Sequence, residues 1–239
     1  MMSNNEAESI LRLEGVSRHY VQGDQEVSAL EDVSFAAARG EFIAVAGPSG
    51  SGKTTLLNVC AGLDRPTSGR VWLGNRDLSE LNRHQLARLR LEEVGFIFQA
   101  FNLIPVLSAE ENAEFILLLR GVPDGERREK VGALLKEVGL EGMEHRRPGQ
   151  LSGGQQQRVA VARAIAAEPK LVLADEPTAN LDTDTAFSLL NLMERLNREH
   201  GTTFLFSTHD PRVMQRAHRI IHLLDGRIES DQRAAVRQM

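Results

Sequence analysis

The peptide Gly47-Pro48-Ser49-Gly50-Ser51-Gly52-Lys53-Thr54 narrows the possible folds more than any other stretch of the chain. It matches the pattern G-x-x-x-x-G-K-[ST] and directly follows a short apolar run, Phe42-Ile43-Ala44-Val45-Ala46. Glycines let a backbone curl until successive N–H groups face one point, where an oxyanion can sit. A helix expected over 54–61 adds the partial positive charge of its N-terminus, and Lys53 adds a full one. The Thr54 hydroxyl is a hard oxygen ligand suited to Mg²⁺. A strand, a glycine loop and a helix in that order are the context this phosphate-binding pattern requires.

Further strand-like runs have the same character. Residues 94–98, Leu171-Val172-Leu173-Ala174 and 203–206 are short, continuous and apolar. Such runs suit strands buried on both faces of a parallel sheet, whose ligands gather at the carboxyl ends. Residues 109–138 read instead as helical, broken by Gly121-Val122-Pro123-Asp124-Gly125, and suggest a helical insertion into the α/β core. The charge run 124–130 reads as a solvated face. The 239 residues suit one α/β unit or two closely integrated subdomains. A net charge of -5 argues against nucleic acid as a partner, because phosphate backbones demand a basic footprint. The single cysteine, Cys60, excludes an internal disulfide. No apolar stretch reaches the roughly 20 residues a membrane helix needs, and the polar N-terminus does not read as a signal peptide.

Two more peptides carry chemistry. Asp175 and Glu176 end the run from Leu171, where the first can hold magnesium and the second can polarise a water in line with a γ-phosphate. Leu151-Ser152-Gly153-Gly154-Gln155 precedes a helical pattern at 156–167. Ser152 is a good N-cap there, and the glycines bare the amides of a helix start.

Taken in order, these motifs resemble the nucleotide-binding domains of ABC transporters over about 11–228. The 151–155 peptide resembles the signature motif of that family, and Gln99 falls at its glutamine loop. Ala179-Asn180-Leu181-Asp182 falls at the loop that meets the opposite subunit, and His209 at the switch histidine. The resemblance implies a P-loop NTPase fold with a RecA-like core at about 10–98 and 168–228. It also implies an antiparallel β subdomain, a helical subdomain at about 99–167 and a short tail at 229–239. It assigns ATP contacts to Tyr20 (stacked on adenine), Gly47, Pro48, Ser49, Gly50, Ser51, Gly52, Lys53, Thr54 and Thr55, and, toward a second copy's ATP, to Ser152, Gly153, Gly154 and Gln155. Mg²⁺ falls to Thr54, Gln99 and Asp175. Catalysis falls to Glu176 as general base, with His209, Lys53 and Gln99, and a homodimer is needed to complete each ATP site.

Within the family, three stretches resemble the macrolide-exporter, lipoprotein-releasing and cell-division branch (MacB/LolD/FtsE). They are the 62–69 peptide, the 98–105 peptide and the 174–182 peptide, with Ala179 standing where that branch usually has glycine. The branch implies a permease partner with a large extracytoplasmic domain, contacted through residues 100–107, and a peripheral position on the cytoplasmic face of the inner membrane. Export or lipoprotein extraction is one expected use. The alternative is a force-transmitting regulator of a cell-envelope process that carries no cargo. The compact 99–152 segment leaves no room for the long coiled-coil arms of a DNA-repair ATPase, and a single motif set argues against a two-domain translation factor.

Overall fold

A computed structural model describes residues 9–23 and 25–233. The N-terminal residues expected not to form a signal peptide lie outside this range except for Ser9, as do residues 234–239. The main sheet contains β3 (Phe42–Ala46), β6 (Val94–Ile97), β7 (Leu171–Ala174), β8 (Thr203–Thr208), β9 (Arg219–Leu224) and β10 (Arg227–Arg233). Their order is β10-β9-β3-β8-β7-β6, parallel throughout except for the antiparallel pair β10 and β9.

Every residue of β3 and β7 is buried, because both faces of this sheet are covered. Alternation sorts the side chains into two cores. Phe42 and Ala44 pack with Phe204, Phe206 and Val172 under the helices α3 (Ala109–Leu119), α4 (Asp124–Glu137), α5 (Gly153–Ile165) and α6 (Thr183–His200). Ile43 and Val45 join Leu171, Leu173 and Leu205 on the other face, against α1 (Lys53–Cys60) and α2 (Arg83–Glu93). That second core is closed by a four-stranded antiparallel sheet, β2-β1-β4-β5, of β1 (Ser9–Gln22), β2 (Gln25–Ala38), β4 (Ser68–Leu73) and β5 (Arg76–Asp77). The architecture is therefore the expected α/β core with an antiparallel β unit and a helical unit.

The structure moves several boundaries. Strand β8 runs past 206 to Thr208, so Ser207 and Thr208 belong to the sheet. Helix α5 starts at Gly153, not 156, because Ser152 caps it and Gln155 answers in a capping box. Residues 229–233, expected in a tail, are the outer half of β10, paired with β9 through registers such as Asp231 with Ile221. Arg127, in the run read as solvated, turns inward between Glu114 and the Val122 carbonyl.

One ion cluster built on a buried arginine locks this edge. Arg219 on β9 donates to both Asp231 oxygens at 2.7 and 2.6 Å, to Ala36 O at 2.7 Å and to Glu41 Oε2 at 3.0 Å. It thereby ties β10, the end of β2 and the residue before β3 to one guanidinium that is 7% exposed. Removing the guanidinium takes the donor from Ala36 O and the buried partner from Asp231 and Glu41, although Asp231 stays exposed and Glu41 keeps Arg233. Arg219→Ala is therefore expected to cost about 1.5–3 kcal/mol of unfolding free energy in a denaturant titration. A loss below about 1 kcal/mol, the range of an exposed pair, would show that the cluster does not hold the edge.

Candidate active site

Parallel pairing brings three strand ends to one edge. Ala46 of β3 pairs with Thr208 of β8, and Ala174 of β7 pairs with Phe206. The residues that follow, Gly47, Asp175, Glu176 and His209, leave the sheet side by side.

Residues 47–52 fold back between β3 and α1. Gly52 has φ 100° and sits against Ala29 O, so a Cβ there would be strained and would strike backbone. It is also the N-cap of α1 and offers no side-chain acceptor, which leaves the first amides of the helix to an anion. Lys53 is buried, and its Nζ donates to Gly47 O at 2.9 Å and Pro48 O at 2.8 Å, with Glu176 Oε1 at 3.8 Å. The Ser51 hydroxyl is buried without a hydrogen-bond partner. Pro48, Ser49, Gly50 and Thr54 are exposed, and Thr55 is half-buried on α1. An open loop lined by amides, one lysine and an unpaired hydroxyl fits a polyphosphate.

The Thr54 hydroxyl lies 2.9 and 3.2 Å from the two oxygens of Asp175. One carboxylate and one hydroxyl are the hard oxygen donors that suit Mg²⁺, which keeps its remaining positions for water and phosphate. Among the described residues no cluster of three or more His, Cys, Asp or Glu side chains forms a separate metal cage. Glu176 has φ 43°, an uncommon conformation for a non-glycine residue. Its Oε2 lies 2.9 Å from His209 Nδ1. A cavity of about 230 Å³ opens here, lined by Glu176, Thr178, Leu181, Thr208, His209 and Arg212.

The other candidate residues lie apart from this cluster. Gln99 is exposed just after β6, and its carbonyl accepts from Asn180 Nδ2 at 2.9 Å. No described hydrogen bond joins it to Asp175 or Thr54. The loop after Gln99 is strapped down by Arg163, which donates to Phe101 O and Asn102 O. The fully buried Asn112 bonds Ile104 N and O and Leu107 O from the other side. Ser152 and Gln155 close their capping box at 3.3 and 2.9 Å, and Gly153 lies near Phe101 and Leu181. Gly154 serves packing as well, because a Cβ there would run into Thr185 at the start of α6. No described hydrogen bond or ion pair joins 152–155 to the 47–54 loop. Tyr20 donates to Asp64 Oδ2 at 2.6 Å, and the Arg18 guanidinium lies 4.4 Å from its ring centroid.

Sequence reasoning passed over Asn180, Arg163, Asn112, Arg18, Asp64 and Ser207 as individual contributors. Asn180, Arg163 and Asn112 serve through backbone carbonyls, which carry no signature in sequence. Ser207 alone left a signal, as a hydroxyl at the end of an otherwise apolar strand.

A family model described as "ABC transporter" matches residues 30–179. The chain is 47% identical over 231 residues to the lipoprotein-releasing system ATP-binding protein LolD of Anaeromyxobacter dehalogenans, covering 96% of this chain and 97% of that protein. It is 49% identical over 222 residues to the macrolide export ATP-binding/permease protein MacB of Hyphomonas neptunium, covering 93% of this chain. The chain spans about a third of the length of such MacB relatives, 34% in that case. The ATP-binding cassette MJ0796 of Methanocaldococcus jannaschii, solved as a dimer in a post-hydrolysis state bound to ADP and Pi, superposes with a TM-score of 0.87. It is 41% identical and covers 96% of this chain and 100% of that one.

The Tyr20 brace gives a pH-dependent expectation. Burial acts to raise the Asp64 carboxyl, but hydrogen bonds from the Tyr20 hydroxyl, the Arg18 guanidinium and the Arg65 amide outweigh it and hold the group below the usual carboxylate range. A carboxyl depressed in the folded state adds stability above its unfolded pKa and loses it as pH falls through the folded one. The stability gap between wild type and Asp64→Asn should therefore be widest near neutrality and close as pH falls through and below the usual carboxylate range. Denaturant melts across that range measure it, and a gap independent of pH would remove the charged brace.

Proposed function

This chain belongs to the ABC transporter family as one of its ATP-hydrolysing cassettes, and on that premise we propose that two copies close head to tail around two ATP molecules to drive a membrane permease. The observation that carries the dimer reading is the presence of two anion-type sites in one chain with no described polar contact between them. One is the Lys53 cradle at the sheet edge. The other is the glycine-rich helix start at Ser152–Gly154, where the capping box takes up the Gln155 amide, packed beside Leu181 and Thr185. A single nucleotide has no use for both. The dimeric, ADP- and Pi-bound state of a 41% identical cassette supports the same arrangement. Ser152 and Gly154 of each copy then grip the γ-phosphate held by Lys53 of the other, and Gly153 and Gln155 keep that helix start open and capped.

Within each site the residues divide the work. The amides of 47–52 and Lys53 hold the phosphates, with Thr54 and Thr55 at the helix start behind them. Tyr20 offers the free face of its ring to the base. Thr54 and Asp175, joined by Gln99 from the loop after β6, would hold Mg²⁺, which would supply neutralisation of charge on the phosphate oxygens. Glu176 takes a proton from the attacking water, and His209 orients both the carboxylate and the γ-phosphate. Loss of that phosphate removes the contact that favours the closed dimer, a population shift driven by differential binding.

The stroke leaves through the loop after Gln99. Beside it lies an open, mostly apolar cavity of about 460 Å³ lined by Leu63, Phe96, Phe98, Ile104, Phe115 and Arg163. That lining suits a short amphipathic segment of a permease on the cytoplasmic face of the inner membrane. Among the described residues no helix is long and apolar enough to cross a membrane, so the spanning part falls to another region or chain. The use we propose is export or extraction through a permease bearing a large extracytoplasmic domain, in line with the names of relatives for macrolide export and lipoprotein release; cargo-free regulation of a cell-envelope process is the alternative.

Two experiments test this reading. Glu176→Gln should retain ATP binding, lose most turnover and elute as a dimer on gel filtration only when ATP is present; a monomer under those conditions contradicts the ATP sandwich. Lys53→Ala and Ser152→Arg should each be inactive alone. Mixed together they should recover ATPase activity, because the mixed dimer holds one site with both residues intact. No recovery on mixing would mean that each chain carries its own complete site.

A further inference from the structure

We propose that Ser207 is a positioning residue for hydrolysis, whose buried hydroxyl sets the orientation of the Asp175 carboxylate and of the Glu176 main chain at once. The proposal rests on the reading of Asp175 and Glu176 given above.

Ser207 is fully buried in β8, following Phe204, Leu205 and Phe206. A hydroxyl in such a strand is costly unless it is hydrogen-bonded. Here it is bonded twice, accepting from Glu176 N at 2.8 Å and lying 2.7 Å from Asp175 Oδ1. The direction of both bonds follows from the donors. An amide can only donate, so the serine oxygen accepts from Glu176, and its one proton is committed to the carboxylate. Asp175 Oδ1 is thereby occupied from inside the sheet, while Oδ2 faces the Thr54 hydroxyl at 2.9 Å. The carboxylate cannot rotate without breaking one of these bonds.

The second bond addresses strain. Glu176 has φ 43°, a conformation that is strained in a non-glycine residue and persists only where its surroundings over-determine it. The Ser207 bond to its N–H enters the residue from one side, and the bond from Ala179 N to Glu176 O holds the other. The carboxylate proposed to take the proton from water therefore hangs from a peptide that Ser207 helps hold. His209, which touches that carboxylate, is only two residues further along the same strand end. One strand end thus places a residue that orients the Glu176 backbone and another that orients its side chain.

Ser207→Thr and Ser207→Val separate the hydroxyl from its volume, because the two side chains have nearly the same shape. Ser207→Ala removes atoms without adding any. The threonine variant should keep a kcat within a few-fold of wild type. The valine and alanine variants should lose about 10- to 100-fold in kcat with ATP KM within about threefold, the pattern of a contact that matters at the reacting atoms. A readout that needs no nucleotide accompanies this: amide hydrogen exchange at Glu176 in the nucleotide-free protein should be about 10-fold faster or more in the valine and alanine variants than in wild type and threonine. Valine matching threonine in both kcat and exchange would overturn the role of Ser207. Equal losses in both, tracking a common fall in melting temperature, would overturn it as well. Lys53→Ala run alongside keeps the levels distinct: retained hydrolysis in that variant overturns the phosphate-loop reading on which this proposal stands.

Discussion

The position of β8 between β3 and β7 is the constraint on which the rest of the chemistry depends. Parallel strands discharge their loops at one edge, and the registers Ala46 with Thr208 and Ala174 with Phe206 decide which residues meet there. Strand faces alternate with a period of two, so a slip of one residue would swap the two buried faces of β8. It would turn Phe206 away from Phe42, whose ring centroid it approaches at 4.9 Å, and carry Ser207 away from Asp175. The apolar cores on the two faces of the sheet therefore fix the register, and the register places the polar residues. Packing of this kind is local in neither sequence nor chemistry. It is why a lysine at 53, an aspartate at 175 and a serine at 207 share one small volume.

A second set of contacts joins that edge to the helical unit. Asn180, four residues beyond Glu176, holds the Gln99 carbonyl, and Arg163 and Asn112 bind the carbonyls that follow. Phe101 and Asn102 both have positive φ, so this loop carries backbone conformations that need outside support. The loop bordering the apolar cavity is thus held by hydrogen bonds to Asn180, beyond the end of β7, and to Arg163 on α5. In the same way Gly154 lets α5 approach Thr185 on α6, which couples the position of the signature peptide to the loop that carries Asn180.

Legibility varied with how local the cause was. The apolar runs at 42–46, 171–174 and 203–206 marked strands correctly because burial on both faces leaves no polar alternation to misread. The end of β8 was missed because Ser207 and Thr208 are polar; their burial depends on Asp175 and the neighbouring strands. The polar strand β10 gave no apolar pattern either, since Arg219 and its acidic partners hold its register there. At the candidate site, residue types that carry chemistry were readable from their motifs. Residues acting through main-chain carbonyls, such as Arg163 and Asn112, were not.

The sequence by itself determined the order of the chemical groups and the local geometry of each. Glycines at 50 and 52 impose the curl of the loop, Ser152 and Gln155 cap α5, and apolar runs commit the strands to a buried sheet. Those are short-range effects, set by the steric freedom of a residue and the hydrogen bonds of its near neighbours. Only the tertiary structure decided which groups meet. It joined Thr54 to Asp175 and Glu176 to His209 across 121 and 33 positions, and Ser207 to Glu176 and Asp175 across 31 and 32. It also left the signature peptide turned toward α6 instead of the phosphate loop. Long-range pairing is decided by which faces must be buried together, and that is a property of the whole sheet.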